Sequence, residues 1–220
     1  MNTPTDDSAF IRAIAADPDD DAPRLVYADY LEESGDPSRK ARAELIRFQV
    51  AAARERPDDP KAGETVPEQL AQTWVPTWSY SLPPIPNCKW GPYRRGFIDE
   101  VTCGAVVFFA YGGRILVAVP LRRVRLEPVS FIEVRRLLSG ADIREIAELW
   151  LSGSTWGVQG ALRALADAHP WPVLRRLVVD MPQVEEWRYQ SFRGFDASVV
   201  LPRLRERFGL RLELPPKWRE

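Results

Sequence analysis

The chain has 220 residues, of which 45% are hydrophobic and 28% charged, and its formal net charge is −1. This composition is typical of a globular protein with its own core, and so small a net charge gives no overall attraction to DNA or to an anionic membrane. Two cysteines, Cys88 and Cys103, and one histidine, His169, are too few for a Cys/His zinc cluster, a two-histidine metalloprotease motif or a disulfide framework.

The predicted location follows from the N-terminal segment and the most apolar segment. The start, MNTPTDDSAF, has neither the basic residues nor the apolar run of a signal peptide, so a cytoplasmic protein is predicted. Residues 105–121 form the most apolar stretch, but Gly112, Gly113 and Arg114 interrupt it, and a membrane span needs about 20 apolar residues. A buried helix and a turn are expected there.

Three helices are predicted over residues 1–56. The first covers residues 8–16 and ends before Pro18, because a residue that precedes proline is driven out of the helical region. The second runs through LVYADYLEES to Gly35, which suits a left-handed helix end. The third covers residues 38–56 and carries an apolar stripe. These three helices form one predicted helical module, which is more acidic than the rest of the chain.

Residues 57–92 differ from the rest of the chain in carrying eight prolines. Proline removes a backbone donor and fixes φ, so neither a regular helix nor a central strand is expected here. The segment also holds Trp74, Trp78, Tyr80 and Trp90, which is more aromatic residues than a plain linker carries. We therefore expect a partly ordered connecting segment whose rings pack against a neighbouring unit.

A spaced apolar pattern recurs over residues 93–220. Its copies are Ile98-x-x-Val101-x-Cys103, Leu121-x-x-Val124-x-Leu126, Ile146-x-x-Leu149-x-Leu151 and Leu174-x-x-Leu177-x-Val179, with a weaker last copy at Leu210, Leu212 and Leu214. The central residues lie at 101, 124, 149 and 177, and their steps of 23, 25 and 28 residues are close to the leucine-rich-repeat period of about 20–29. An α/β fold is predicted, in which the three-helix module precedes a short leucine-rich-repeat-like α/β solenoid. Because the asparagine of such repeats is missing, an ordinary sheet of βα units is the alternative.

The second and third predicted helices carry a dense motif. Its elements are Asp19-Asp20, Arg24-Leu25-Val26, Ala28-Asp29, Leu31-Glu32-Glu33, Gly35-Asp36, Arg42-Ala43-Glu44, Ile46-Arg47 and Gln49. In these elements the segment resembles the repeat-companion domain, a short bacterial module known chiefly from planctomycete proteins, although Tyr30 stands where that family usually has tryptophan. The resemblance implies that repeats follow, leucine-rich ones among them, and residues 93–101 are similar to the lead-in of that second region. It implies no established activity.

No enzyme site is predicted. The acidic residues of the helical module lack the spacing of an EF-hand loop, so Asp20 or Asp21 as helix caps and Asp29 paired with an arginine are favoured over a metal site. The carboxylates are Asp17, Asp19, Asp20, Asp21, Asp29, Glu32, Glu33 and Asp36, and the candidate arginines are Arg24, Arg42 and Arg47. A phosphate-binding glycine loop is absent, and neither His169 nor either cysteine has the neighbours that catalysis requires. We predict no catalytic residue, no cofactor and no metal.

The candidate binding residues lie between the apolar positions of the repeat, where they would line one face of the sheet, except that Arg94 and Arg95 stand at the N-terminal edge of this face. They are Arg94, Arg95, Arg122, Arg123, Arg125, Glu148, Trp150, Arg175 and Arg176. Arginine and tryptophan are enriched among the residues that contribute most to protein binding, and the concave face of a solenoid is its usual binding surface. The alternative is a solvated face whose arginines pair with Glu100, Glu148 and Glu213.

The predicted function is therefore that of a non-enzymatic adaptor that binds another protein through this arginine- and tryptophan-rich face. Two alternatives stay open. In the first, the same arginines bind nucleic acid while Trp150 or Trp156 stacks on bases, although a pI of about 6 counts against it. In the second, the chain is a structural subunit of a larger complex that buries the open edge of the array. No membrane partner is predicted.

Overall fold

The computed structural model describes most of the chain. The described residues are 7–59, 61–129, 131–138, 143, 146–168, 173–180, 195–208 and 212–214. The expectations for His169 and Leu210 lie outside these residues. Within them, the α/β class predicted from the sequence is confirmed.

Helices dominate the first part of the chain, and strands alternate with helices after it. The helices are α1 (Ser8–Ala16), α2 (Ala22–Glu33), α3 (Pro37–Glu55), α4 (Glu68–Thr73), α5 (Val75–Tyr80), α6 (Ala105–Ala118), α7 (Phe131–Leu137), α8 (Thr155–Asp167) and α9 (Ala197–Phe208). The strands are β1 (Cys88–Trp90), β2 (Tyr93–Arg94), β3 (Phe97–Ile98), β4 (Glu100–Cys103), β5 (Arg123–Leu126), β6 (Glu148–Ser152), β7 (Arg176–Asp180) and β8 (Leu212–Glu213).

The chain divides into two compact units. The first comprises Met1–Pro84, Trp90–Asp99 and Arg114–Leu121, and the second comprises Ile85–Lys89, Glu100–Gly113 and Arg122–Glu220. This division differs from the predicted domains 1–56, 57–92 and 93–220. The β2–β3 hairpin and part of the proline-rich segment belong to the first unit because they are hydrogen-bonded to α3, as described below.

The first unit is built on α1, α2 and α3, whose bounds are close to those predicted. Gly35 has a φ of +71° where α2 ends, and the Asp36 carboxylate caps α3 by accepting from the backbone N–H groups of Ser38 at 2.8 Å and Arg39 at 3.0 Å. The helices bury a common core, which consists of Ile11, Ile14, Tyr27, Ala28, Leu31, Ala43, Ile46, Val50 and Phe97. Phe97 belongs to β3, so the hairpin contributes to the same core.

The β2–β3 hairpin is fixed to α3 by a buried glutamine. Its turn residues, Arg95 and Gly96, have φ values of +47° and +86°, as a tight two-residue hairpin turn requires. The Gly96 N–H donates to the side-chain oxygen of Gln49 at 2.7 Å, and the Gln49 amide donates to the Tyr93 carbonyl at 3.0 Å. A Cβ atom on Gly96 would stand 2.2 Å from Ile46 Cγ1, so glycine is required for this close approach.

The proline-rich segment contains helices, and the prediction that it would not was wrong. Its two six-residue helices, α4 and α5, tolerate proline because Pro67 precedes α4 and Pro76 lies in the first turn of α5, where no backbone donor is needed. The expected packing of aromatic rings is seen at Trp78, which is buried and donates its indole N–H to the Ser38 hydroxyl at 3.0 Å. Tyr80, by contrast, is 92% exposed.

The apolar segment around residue 112 forms one uninterrupted helix, α6, so the turn expected there was wrong. Gly112 and Gly113 lie inside the helix, at a cost of about 1 kcal/mol each relative to alanine. Phe108 and Ile115 are both fully buried, and this burial outweighs the cost of the two glycines. Among the residues that the structure describes, none of the helices is both long and apolar enough to cross a bilayer.

Parallel strands form the centre of the second unit. In the described part of the chain the sheet has the order β1-β4-β5-β6-β7-β8, and each neighbouring pair from β4 to β8 is parallel. Successive strands are neighbours, and α6, α7, α8 and α9 connect them in turn. The register aligns the central residues of the predicted copies, which are Val101, Val124, Leu149 and Leu177. Each is at most 1% exposed, so this face of the sheet belongs to the core.

Replacing Gly96 with alanine is expected to destabilise the first unit by about 3 kcal/mol, because the new Cβ would meet the Ile46 side chain and backbone at a left-handed φ. Gly35→Ala is the matched control. Its φ is also positive, but nothing lies within 4 Å of the added atom, so a loss of about 1 kcal/mol is expected. Urea unfolding followed by circular dichroism measures both variants, and equal losses would contradict the close approach of the hairpin to α3.

Candidate interaction surface

The face of the parallel sheet opposite the apolar core carries alternating charges. Side chains alternate between the two faces of a strand, so the residues paired in register with Arg123 share its face. Glu100 of β4 pairs with Arg123 of β5, Arg123 with Glu148 of β6, and Glu148 with Arg176 of β7. Glu213 of β8 pairs in register with Val178, and its carboxylate extends the row by an ion pair with Arg176. These five residues are called the charge ladder.

The charge ladder is held by short ion pairs. Arg123 donates to Glu100 at 2.7 Å and to Glu148 at 2.9 Å. Arg176 donates to both carboxylate oxygens of Glu213, at 2.6 Å and 3.0 Å. This two-point geometry is the one that suits a guanidinium and a carboxylate best. The row is therefore a continuous network of alternating charges.

Glu148 is the centre of this network. Its side chain is only 6% exposed, and three described arginines surround its carboxylate: Arg122 at 2.8 Å, Arg123 at 2.9 Å and Arg176 at 3.7 Å. Burial by itself raises the pKa of Glu148, but the charges of Arg123 and Arg122 and their hydrogen bonds outweigh it, so the pKa is lowered from its usual value. Glu148 is ionised at neutral pH and fixes the arginines around it.

Trp150 lies beside the charge ladder, two residues after Glu148. Its ring centroid is 4.4 Å from the guanidinium carbon of Arg125, 5.2 Å from that of Arg123 and 5.5 Å from that of Arg176. A guanidinium at such a distance is attracted to the face of an indole ring. The Trp150 indole N–H is buried and has no hydrogen-bond partner in the described part of the chain. This face thus combines oriented cations with a partly buried aromatic ring.

Most of the predicted binding residues lie on this face or at its border. Arg123, Glu148 and Arg176 belong to the ladder. Beside it lie Arg122, Arg125 and Trp150, and Arg175 is exposed just before β7. The pairing with Glu100, Glu148 and Glu213, which the sequence left as the alternative, is present. Sequence spacing identified the outward positions, but it does not show that Arg122, Arg123 and Arg176 already have a carboxylate beside them.

Arg94 and Arg95 were predicted to stand at the N-terminal edge of this face, and that placement stays a prediction. They belong to the β2–β3 hairpin, which is a separate two-stranded sheet in the first unit. Arg94 forms an ion pair with Glu64, and Arg95 is 3.3 Å from Asp21. The hairpin turn places both side chains beside acidic residues of the first unit. The periodicity of the strand residues does not indicate these contacts.

The acidic residues of the first unit form structural contacts. Arg47 lies 2.7 Å from both Asp29 and Glu32, so it is the arginine that pairs with Asp29. Asp20 accepts from the backbone N–H of Ala22 at 2.9 Å, whereas the Asp21 side chain forms ion pairs and no cap. Arg42, also considered as a partner for these acids, lies against aromatic rings instead. Within the described residues, no three metal-binding side chains stand close enough together to hold an ion.

Neither cysteine has the environment of a nucleophile. Burial raises the pKa of the Cys88 thiol to about 11 and that of the Cys103 thiol to about 12. A thiol with so high a pKa is almost fully protonated at neutral pH, and the thiolate is the reactive form. Cys103 fills a core position of β4, as its place in the repeat pattern predicts.

Alkylation of the folded chain with iodoacetamide at pH 8 is expected to be about 100-fold slower at Cys88, and about 1,000-fold slower at Cys103, than alkylation of the urea-unfolded chain, because the thiolate fraction falls with the raised pKa. Mass spectrometry of quenched samples measures both sites. A folded-state rate equal to the unfolded-state rate at either cysteine would contradict the assigned burial.

No protein-family model, no characterised protein and no solved structure matches the chain. The geometry of the charge ladder and of Trp150 is therefore the basis for a functional proposal.

Replacing Glu148 with glutamine is expected to destabilise the second unit by about 3 kcal/mol at pH 7, since the surrounding arginines lose a buried counter-charge. Because the folded-state pKa of Glu148 is lowered, its contribution is complete above the unfolded-state pKa of about 4.3 and disappears as the pH falls through the folded-state value. Urea unfolding of both proteins between pH 3 and pH 7 measures the difference.

Glu213→Gln provides the control for that experiment. Glu213 also pairs with Arg176, but its side chain is 45% exposed, so solvent screens the pair and a loss below about 1 kcal/mol is expected. Equal effects of the two glutamine variants would show that Glu148 is not the centre of the network.

Proposed function

We propose that this chain is a non-enzymatic, cytoplasmic adaptor that binds another protein through the face carrying the charge ladder and Trp150. We further propose that the second unit is a short solenoid of leucine-rich-repeat type. The order of its parallel strands, each joined to the next by a helix, supports this reading, and so does the resemblance of residues 18–49 to the repeat-companion domain. An ordinary sheet of βα units is the competing description.

The observation that carries the proposal is the fixed orientation of the cations around Trp150. A flexible arginine loses side-chain entropy when it binds, whereas Arg123 and Arg176 are already held by carboxylates. Their guanidinium groups and that of Arg125 surround one indole ring. Arginine and tryptophan placed together in this way are the residue types that dominate binding energy in protein interfaces.

The pattern of charge favours a protein partner over a nucleic acid. A phosphate backbone is uniformly negative and requires cations whose charge is not already balanced. In the charge ladder, glutamates alternate with arginines, and Arg123 bridges two of them. A surface with both signs in a fixed order is complementary to another protein surface with the opposite order.

The accessible part of the face lies towards β7 and β8. The side chains of Arg176 and Glu213 are 38% and 45% exposed, whereas that of Arg123 is 13% exposed. Arg175 is exposed next to them, and Arg125 is partly exposed beside Trp150. We therefore place the centre of the partner contact at Trp150 and these two arginines rather than at Glu148.

Arg125→Glu/Arg175→Glu is the variant that tests the proposal, since Arg125 borders Trp150 and Arg175 is exposed next to Arg176. The tagged wild type and the variant are used in quantitative affinity purification from native lysate, with and without nuclease. We expect a protein that the wild type retains, that the variant loses at least tenfold, and that nuclease leaves in place. The purified partner should then show the same tenfold difference in direct binding.

Arg135→Glu is the matched control, because Arg135 is exposed on α7 and the change of charge per site is the same. It should retain the partner as the wild type does, and thermal unfolding should show that the variants remain folded. If the double variant destabilises the fold, Arg125→Gln/Arg175→Gln replaces it. Equal retention by wild type and variant contradicts the proposal, and loss on nuclease treatment replaces the protein partner with nucleic acid.

A further inference from the structure

A cavity of about 460 Å³ lies within the first unit. Residues of α1, α2, α3, α5 and the β2–β3 hairpin line it, together with residues 117–119. Its volume is in the range of about 300–1,000 Å³ that small-molecule sites occupy. None of the residues proposed to contact the adaptor's partner lines it, so it is independent of the sheet face.

Arg42 is the distinctive residue of this cavity. Its guanidinium carbon is 4.5 Å from the ring centroid of Tyr93, 5.1 Å from that of Trp78 and 5.5 Å from that of Phe97. Within the described residues, no carboxylate lies within ion-pair distance of it. Burial lowers the pKa of Arg42, and the nearby Tyr93 hydroxyl offsets only part of this effect. A cation with limited access to water is thus placed among rings rather than beside an acid.

The other two charged groups of the cavity neutralise each other. The Asp7 carboxylate accepts from Arg39 at 3.2 Å and from the Tyr27 hydroxyl at 3.0 Å. Among the described residues, the charged side chains that line the cavity are Asp7, Arg39 and Arg42, and their net charge is +1. That charge lies on Arg42.

The remaining lining is mostly apolar. Leu31, Phe97 and Ile98 are at most 3% exposed, and Trp78 and Tyr93 are 8% and 6% exposed. Such rings and aliphatic side chains provide dispersion contacts and favour an apolar or aromatic body over a sugar or a peptide backbone. A ligand that fits must therefore combine one negative group with an apolar body.

We propose that this cavity binds a small monocarboxylate with an apolar or aromatic body, whose carboxylate pairs with the Arg42 guanidinium. A guanidinium offers two parallel donors that match the two oxygens of a carboxylate. A phosphate monoester carries a charge of about −1.5 to −2 at pH 7 and would require a second cation, but Arg39 is already held by Asp7. The charge and the shape of the cavity thus agree on a carboxylate.

Three probes with the same ring system test the head group. They are 2-naphthoate, the neutral 2-naphthamide and the doubly charged 2-naphthyl phosphate, each titrated into the full chain by isothermal calorimetry at low ionic strength. We expect saturable 1:1 binding of 2-naphthoate, at least tenfold tighter than binding of either analogue. The indole N–H signal of Trp78, assigned with Trp78→Phe, should shift on addition of 2-naphthoate, since this side chain lines the cavity.

Arg42→Gln and Arg42→Lys test the proposed contact. We expect the glutamine variant to lose at least tenfold in affinity for 2-naphthoate but not for 2-naphthamide. Lysine keeps the charge without the paired donors, so an intermediate loss is expected. Arg56→Gln, which removes the same charge at the exposed end of α3, should bind like the wild type.

The proposal is overturned if 2-naphthoate does not bind, if it binds no more tightly than the amide, or if 2-naphthyl phosphate binds more tightly. It is also overturned if Arg42→Gln binds like the wild type. The comparison of the three probes uses wild-type protein alone, so it holds even if a variant is poorly folded. The comparison of the three probes does not depend on whether the Arg125/Arg175 variant loses its partner. The two proposals can therefore fail independently.

Discussion

Glu148 carries a carboxylate that is almost fully buried in the parallel sheet, and a buried charge costs several kcal/mol unless opposite charges surround it. The register of β5, β6 and β7 provides those charges by placing Arg123 and Arg176 on either side of it. The same pairing aligns the apolar residues of the opposite face, because a slip of one residue would turn every side chain over. The core and the charge ladder thus depend on one register, and each stabilises the arrangement that the other requires.

In the first unit a comparable constraint is the contact between α3 and the β2–β3 hairpin. Gln49 is fully buried and binds the hairpin through both ends of its amide, while Ile46 leaves room only for a glycine at position 96. Both α3 residues belong to the dense sequence motif of residues 19–49. The contact gives that motif a structural role, because Ile46 and Gln49 hold the β2–β3 hairpin, which directly precedes β4.

Arg123 of the sheet and Arg42 of the first unit lie in opposite environments. In the sheet, Arg123 lies between two carboxylates that stabilise its charge. In the helical unit, Arg42 lies among aromatic rings, and none of the described carboxylates pairs with it. A guanidinium held by carboxylates, such as that of Arg123, has a fixed orientation. The Arg42 guanidinium can still form a strong ion pair, and for this reason the cavity beside it is proposed to bind an anion.

The sequence alone determined the bounds of α1, α2 and α3, the positions of the parallel strands and the α/β class, because these follow from local periodicity and turn residues such as Gly35. It did not determine the helices α4 and α5 or the continuity of α6 through Gly112, since packing outweighs weak local preferences. Only the tertiary structure decided which charges meet. Glu148 and Arg176 are far apart in the chain, as are Arg42 and Tyr93, and the pairing of distant residues depends on strand register and helix packing. The sequence therefore identified Arg42, Arg123 and Arg176, and the fold decided what each of them contacts.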